Sequence, residues 1–237
     1  MAIVDGEKRL TLLDLYNDIT GQAWSMFDSE VEDQDEFEQN VMTSIQKSLS
    51  DLWHSYKFPF RERTQTIPTK NGGASYGVPD SLTENNIIQT NVNGKICYSV
   101  FCDNEPLKHN PDCRFSEPKI GKPEYFYFKQ EKIYLYPIPD NKYTITIDYM
   151  TTYPALSEDG DEKQTLEDET DYINIPEKYQ EIFRVTLMPL CMWNYLIAAE
   201  TDENSEAYKI QYERAYKRLL QNCKKMDFDK HIGWRDI

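Results

Sequence analysis

The spacing of apolar residues predicts helices in the first part of the chain. Thr11 and Asp14 have the pattern of an N-cap residue with an acidic partner three positions later, before a helix with one apolar face. A second predicted helix stops before Pro59. Its apolar residues recur at every third or fourth position: Phe37, Val41, Ile45, Leu49, Leu52 and Tyr56. Because a helix with an apolar stripe needs a partner to bury it, these helices belong to a bundle.

Between Phe60 and Met150 the pattern changes to short alternating runs that predict strands. Asn93-Gly94 separates two such runs and is a strong signal for a β-hairpin. Two Tyr-rich runs follow at residues 125–128 and 133–136, and a Pro-rich turn leads into the last strand. Tyr suits a half-exposed sheet, because its ring packs while its hydroxyl stays hydrated. The segment therefore reads as a meander of antiparallel strands.

The helical pattern returns after an acidic segment, residues 157–171, which we expect to be a solvated loop. One helix is predicted from Pro176 to Glu200 and another from Glu203 to Lys225, followed by a tail without helical period. The order predicts an α+β fold, a helical bundle from N- and C-terminal helices with an inserted antiparallel β-rich domain. The predicted parts are the first bundle helices (1–58), the insert (59–152), the acidic loop (153–174), the last bundle helices (175–226) and a docking tail (227–237).

Composition excludes several classes of protein. The 237 residues carry a formal charge of −15, which should repel nucleic acid over most of the surface. No apolar run approaches the roughly 18 residues of a membrane span, and the N-terminus lacks the apolar core of a secretory signal. Aromatic residues make up 13% of the chain, so we expect a folded protein rather than a disordered one. With no signal sequence, the five cysteines are expected to be reduced thiols of a protein made in a cytoplasm.

The strongest metal-site candidate is a set of four soft ligands in the insert. It consists of Cys97, Cys102, His109 and Cys113, which could in principle bind tetrahedral zinc. Their spacing matches none of the usual zinc motifs well, so scattered cysteines in a strand and a loop are the preferred interpretation. The acidic segment lacks the alternating ligand register of a calcium loop. No metal and no cofactor is predicted.

Signals for catalysis are equally weak. The sequence has no Gly-x-Ser-x-Gly motif and only three histidines that could serve as bases. Carboxylate pairs of the kind used in glycoside hydrolysis remain open, because 41 acidic residues guarantee chance pairs. The sequence therefore predicts a protein that is not an enzyme.

Two groups of residues are candidates for contacts with a partner. Cations on the last helix, among them Arg214, Lys217 and Arg218, either complement the helix dipole or dock onto an acidic ring of another subunit. The tail holds apolar side chains among charges, which suits docking on a partner: Phe228, Ile232 and Trp234.

An ordered series of phrases in the second half resembles a known family. The series runs from Gly121-Lys-Pro123 and the following Tyr-rich strand, through Lys132-Ile-Tyr-Leu-Tyr-Pro-Ile-Pro-Asp140 and Pro154-Ala-Leu156, to Ile175-Pro-Glu-Lys-Tyr-Gln-Glu181. It resembles the head–tail adaptor proteins (tail tubular protein A-like, or neck ring proteins) of tailed bacteriophages, particularly short-tailed ones. The similarity covers residues 119–225 well and the first half in outline. The acidic segment and the Cys-containing stretch at 97–113 depart from the family pattern.

The resemblance implies a structural virion protein, made in the bacterial cytoplasm and located at the head–tail neck. It implies a homo-oligomeric ring, a dodecamer, that joins the portal protein to the next tail or neck ring protein. DNA would pass through the lumen of the ring without specific binding, and no membrane would be involved. The alternative that the residues leave open is a carbohydrate-binding or glycoside-hydrolysing tail-associated protein, with Tyr134 and Tyr136 as sugar contacts.

Overall fold

The structure is a computed structural model that describes residues 2–4, 7–26, 34–92, 94–199 and 204–232. Side chains are described for residues 9–26, 34–92, 94–199 and 204–224. The chain divides into a helical unit, Met1–Phe60 with Tyr153–Ile237, and a β unit, Arg61–Thr152. The fold is α+β, with the β-rich segment inserted between the N- and C-terminal helices, as the sequence predicts. The helices are α1 (Leu12–Met26), α2 (Gln34–His54), α3 (Glu177–Ala198) and α4 (Ser205–Ile232).

The strands are short, and most of them lie in the β unit. In chain order they are β1 (Ala2–Val4), β2 (Glu7–Arg9), β3 (Glu62–Pro68), β4 (Ser75–Gly77), β5 (Gln89–Val92), β6 (Lys95–Tyr98), β7 (Val100–Cys102), β8 (Glu105–Pro106), β9 (Lys108–His109), β10 (Tyr125–Lys129), β11 (Lys132–Tyr136), β12 (Thr144–Met150), β13 (Ala155–Leu156), β14 (Glu162–Lys163) and β15 (Tyr172–Ile173).

The core of the helical unit is formed by the stripes that the sequence pattern identifies. Val41, Ile45 and Leu52 of α2 are fully buried, and they join apolar residues of α1, α3 and α4 in one cluster. The predicted N-cap is present, because the Asp14 backbone N–H donates to Thr11 Oγ1 and the Thr11 backbone N–H donates to Asp14 Oδ2. These bonds satisfy donors that a helix start leaves unpaired.

The β unit contains two four-stranded sheets and a separate hairpin. One sheet has the order β4-β11-β10-β9 and the other the order β3-β12-β7-β8. All pairings in them are antiparallel except that of β9 with β10. A second apolar cluster, with Phe126, Ile133 and Ile147 fully buried, forms the core of this unit. The predicted hairpin pairs β5 with β6; Gly94 in its turn has φ +79°, and Asn93 lies outside the described residues.

The C-terminal helix is longer than its apolar pattern predicts. It extends to Ile232 rather than to Lys225, so the segment expected to be an irregular tail begins as helix. No Gly or Pro occurs between Ser205 and Ile232 to stop it, and adding a residue to an existing helix costs little. The predicted helix ends at Glu200 and Glu203 lie outside the described residues.

Candidate interaction surface

Helix α4 has two chemically different faces. Its inner face is apolar: Leu219 and Cys223 are fully buried, and the ring of Tyr212 stacks on Trp193 of α3 with ring centres 6.5 Å apart. The Tyr216 hydroxyl reaches the carbonyl of Ser55, at 3.5 Å. These contacts hold α4 against the rest of the bundle, so its opposite face points away from the core.

The outer face of α4 carries a stripe of cations. The residues of this basic stripe, all exposed, are Arg214, Lys217, Arg218 and Lys224. Because successive residues turn by about 100° around a helix axis, the four side chains fall within about 120° of each other. Within the described part of the chain, no ion pair involves any of these four. In a chain with an excess of 15 acidic residues, such a stripe favours an anionic partner.

A groove runs beside the basic stripe, between α3 and α4. Its volume is about 470 Å³, and Val185 in its wall is 49% exposed. Lys178 and Arg218 add positive charge to the walls, and Glu181 adds one negative charge. The full lining is Lys178, Glu181, Ile182, Val185, Thr186, Ala215, Arg218, Gln221 and Asn222. The sequence pattern did not reveal this groove, because the apolar residues of α3 cover more than one face and do not show which of them stays exposed.

The acidic segment is exposed along most of its length, as the sequence predicts, but it is anchored to the helical unit. It contains β14 and lies in the small sheet β14-β13-β15. The side chain of Gln46 on α2 bonds both backbone groups of Leu166, which is 1% exposed. This anchoring by a buried Leu has no signature in a run of carboxylates.

Asp171 organises the acidic segment from its interior. Its side chain is 1% exposed and accepts hydrogen bonds from Lys163 Nζ at 2.9 Å and from the backbone N–H groups of Glu167 and Asp168, at 2.8 and 3.0 Å. Burial raises the pKa of Asp171, but these bonds together outweigh burial and leave the pKa below its ordinary value. The pKa of Lys163 is raised by its bonds to Asp171 and Asp168. A charged hydrogen-bonded centre therefore fixes the conformation of this segment.

The turn of the acidic segment exposes three carboxylates. Gly160 has φ +88°, and its backbone N–H donates to the Ser157 carbonyl, while the Asp161 backbone N–H donates to Ser157 Oγ. We call this turn, residues 157–161, the acidic tip; Glu158, Asp159 and Asp161 in it are exposed. Here the expectation of solvated carboxylates holds.

The four candidate zinc ligands are not brought together. Cys97 is exposed on β6, whereas Cys102 is fully buried in the core of the β unit. His109 Nε2 lies 3.1 Å from Glu84 Oε1, and its ring contacts Tyr98. Cys113 is buried in a 3-10 turn. Among the residues that the structure describes, no group of three or more His, Cys, Asp and Glu side chains could hold a metal ion.

The predicted contact residues of the C-terminal tail lie outside the part of the chain whose side chains are described. Trp234 lies outside the described residues, and Phe228 and Ile232 lie on α4 where only the backbone is described. In the β unit, Tyr134 stacks on Tyr127 with ring centres 4.9 Å apart, so one face of the ring that a sugar would need is already covered.

The comparisons with known proteins agree with the family that the sequence resembles. Residues 11–230 match the model of the family described as SU10 adaptor protein. A search of curated proteins gives no match. Within the described ranges, no helix has the length and apolarity needed to cross a bilayer. Because the match covers nearly the whole chain, the protein belongs to the SU10 adaptor family and is a phage head–tail adaptor, a structural component of the virion.

Proposed function

We propose that this adaptor forms an oligomeric ring that connects the portal to the tail and surrounds the path of the DNA. The observation that carries the proposal is the family match over residues 11–230, which spans both bundle halves and the insert. The proposal includes a ring of twelve copies and two partners, the portal and the next neck protein. It also includes the absence of catalytic activity.

The distribution of charge supports such a role. The β unit contains 11 Lys and Arg and 11 Asp and Glu, so its formal charges cancel. The other 15 Lys and Arg and 30 Asp and Glu lie in the helical unit, which therefore carries the whole formal charge of −15. Repeated around a ring, that charge repels phosphates and lets DNA pass without adhering.

Native mass spectrometry tests the proposal directly. The protein is measured alone and after mixing with the portal ring encoded by the same genome. The expected result is a portal complex that carries several copies of the adaptor, whose mass gives the stoichiometry. A portal ring that remains free at micromolar adaptor, with the adaptor folded by circular dichroism, would contradict portal binding.

A further inference from the structure

We infer that the groove between α3 and α4, with the basic stripe beside it, receives the acidic tip of a second copy of this chain. The inference rests on the proposed ring and names the contact that joins neighbouring copies in it. Three observations carry it. The cations of the stripe have no described carboxylate partner; the groove combines apolar and polar side chains with two cations and one carboxylate, Glu181, which lies 4.0 Å from Arg184; and the acidic tip is an exposed, hydrogen-bonded turn of opposite charge.

The basic stripe and the groove form one continuous surface. Arg218 belongs to both, and Lys178 lies on the opposite wall. Val185 and Ala215 supply apolar surface between them. A site of this kind, which combines apolar side chains with two cations, fits a small projection that carries carboxylates. Carboxylates are the groups that Arg binds with two parallel hydrogen bonds.

The acidic tip has the properties of an occupant. Three carboxylates project from five residues, and the turn is closed by hydrogen bonds within residues 157–161. The buried Asp171 fixes the segment that carries it. A preorganised tip loses little conformational entropy on binding, so more of the interaction energy remains as affinity.

The tip and the groove are held by different elements of the helical unit. The acidic segment is attached to α1 and α2, through the bond from the Leu12 backbone N–H to the Asp171 carbonyl and through Gln46. The groove is built from α3 and α4. Two different, complementary patches on one chain make a head-to-tail contact, and such contacts generate rings when the rotation between copies closes.

Zero-length cross-linking tests this contact in the native chain. A carbodiimide joins a carboxylate to a lysine amine only where the two groups are in contact. An equal mixture of unlabelled and ¹⁵N-labelled protein is cross-linked at about 100 µM and the peptides are identified by mass spectrometry. We expect mixed-isotope peptide pairs that join Lys217 or Lys178 to residues 158–161. Cross-links that join the tip only to other lysines, or no mixed-isotope pairs at all, would overturn the inference.

A charge exchange separates a specific contact from general attraction. Arg214→Glu with Arg218→Glu, which removes no reactive amine, should lower the yield of these cross-links at least about tenfold, as should Asp159→Lys with Asp161→Lys. Mixing the two variants should restore cross-links between the exchanged side chains. The matched control is Lys57→Glu, an exposed lysine of the same unit outside the groove, which should leave the yield unchanged. Failure of the mixture to recover would refute the pairing of stripe and tip.

Two further measurements separate this inference from its alternatives. If the portal binds the wild type but no tip-to-groove cross-link forms, the contact is wrong while the proposed function stands. If the cross-links form and the portal is not bound, the contact stands while portal binding is wrong. If Arg214→Glu with Arg218→Glu abolishes retention of double-stranded DNA in a gel shift and leaves the cross-links intact, the stripe is a phosphate-binding surface and the inference is overturned.

Discussion

Replacing Asp171 with Asn should weaken the hydrogen bonds that hold the acidic segment in place, while preserving the size of the side chain. The carboxylate is 1% exposed, and one of its oxygens accepts both backbone N–H groups, of Glu167 and Asp168. Hydrogen bonds to a charged acceptor contribute about 1.5–3 kcal/mol, against about 1 kcal/mol for neutral pairs. Loss of the charge at two such bonds should therefore lower the free energy of unfolding by about 2 kcal/mol at pH 7.

Urea titration followed by circular dichroism at 222 nm measures this loss. The signal reports on the helical unit, because α1 to α4 all lie there. The matched control is Asp159→Asn in the exposed tip, which should change the free energy of unfolding by less than about 0.5 kcal/mol. An equal loss in both variants would show that net charge, rather than the buried centre, is responsible.

The pH dependence gives the stricter test. Because the pKa of Asp171 is lowered in the folded protein, its contribution is complete above the ordinary Asp value of about 3.9 and is lost as the pH falls through the folded-state value. Wild type and Asp171→Asn should therefore keep their full difference from pH 7 down to about pH 4, and the difference should shrink as the pH falls further towards the folded-state pKa. A difference that stays constant from pH 7 to pH 3 would assign the effect to packing and refute the electrostatic reasoning.

Three smaller predictions follow from burial and capping. Leu49→Ala should lower the free energy of unfolding by about 3 kcal/mol, because the side chain is 1% exposed, whereas Leu13→Ala, at a side chain 42% exposed, should cost less than about 1 kcal/mol; urea titration distinguishes them. Thr11→Ala should lower the free energy of unfolding by about 1 kcal/mol in the same assay, and no loss would mean that the cap hydrogen bonds do not stabilise the fold. At pH 8 a disulfide reagent should rapidly label one thiol, the exposed Cys97, because the other four are buried and burial raises the pKa of Cys191 to about 12. Two rapid thiols would contradict this.

The helices and strands were predictable because local patterns specify them. The stripe of α2 predicts which residues are buried, and Val41 and Ile45 are fully buried in the structure. The alternation along β12 places Ile145 and Ile147 in the core. In each case a single chemical property, apolarity at a fixed period, determines the outcome.

Features that depend on long-range contacts were not predictable. The exposure of the acidic segment was predictable from its carboxylates, but its anchoring was not, because nothing local shows that Gln46, 120 residues away, bonds the backbone of Leu166. The cations of α4 were visible as candidates, but the groove beside them requires the packing of α3 on α4. The candidate zinc ligands also depend on packing. Cys97 and Cys102 are close in sequence, but the fold does not bring them together at one site.

The charge of the helical unit imposes a condition on any assembly of identical copies. Chains that each carry −15 repel one another, and the repulsion extends about 30 Å at 0.01 M salt but only about 8 Å at 0.15 M. A contact between the acidic tip and the groove is short-range and partly shielded from solvent, so salt weakens it less. Association should therefore increase from low to physiological ionic strength and fall again towards 1 M. A contact driven only by apolar surface would strengthen throughout this range of salt, and a contact driven only by exposed charge pairs would weaken throughout. A maximum in association at intermediate salt therefore indicates a complementary local contact that forms against the repulsion between whole chains.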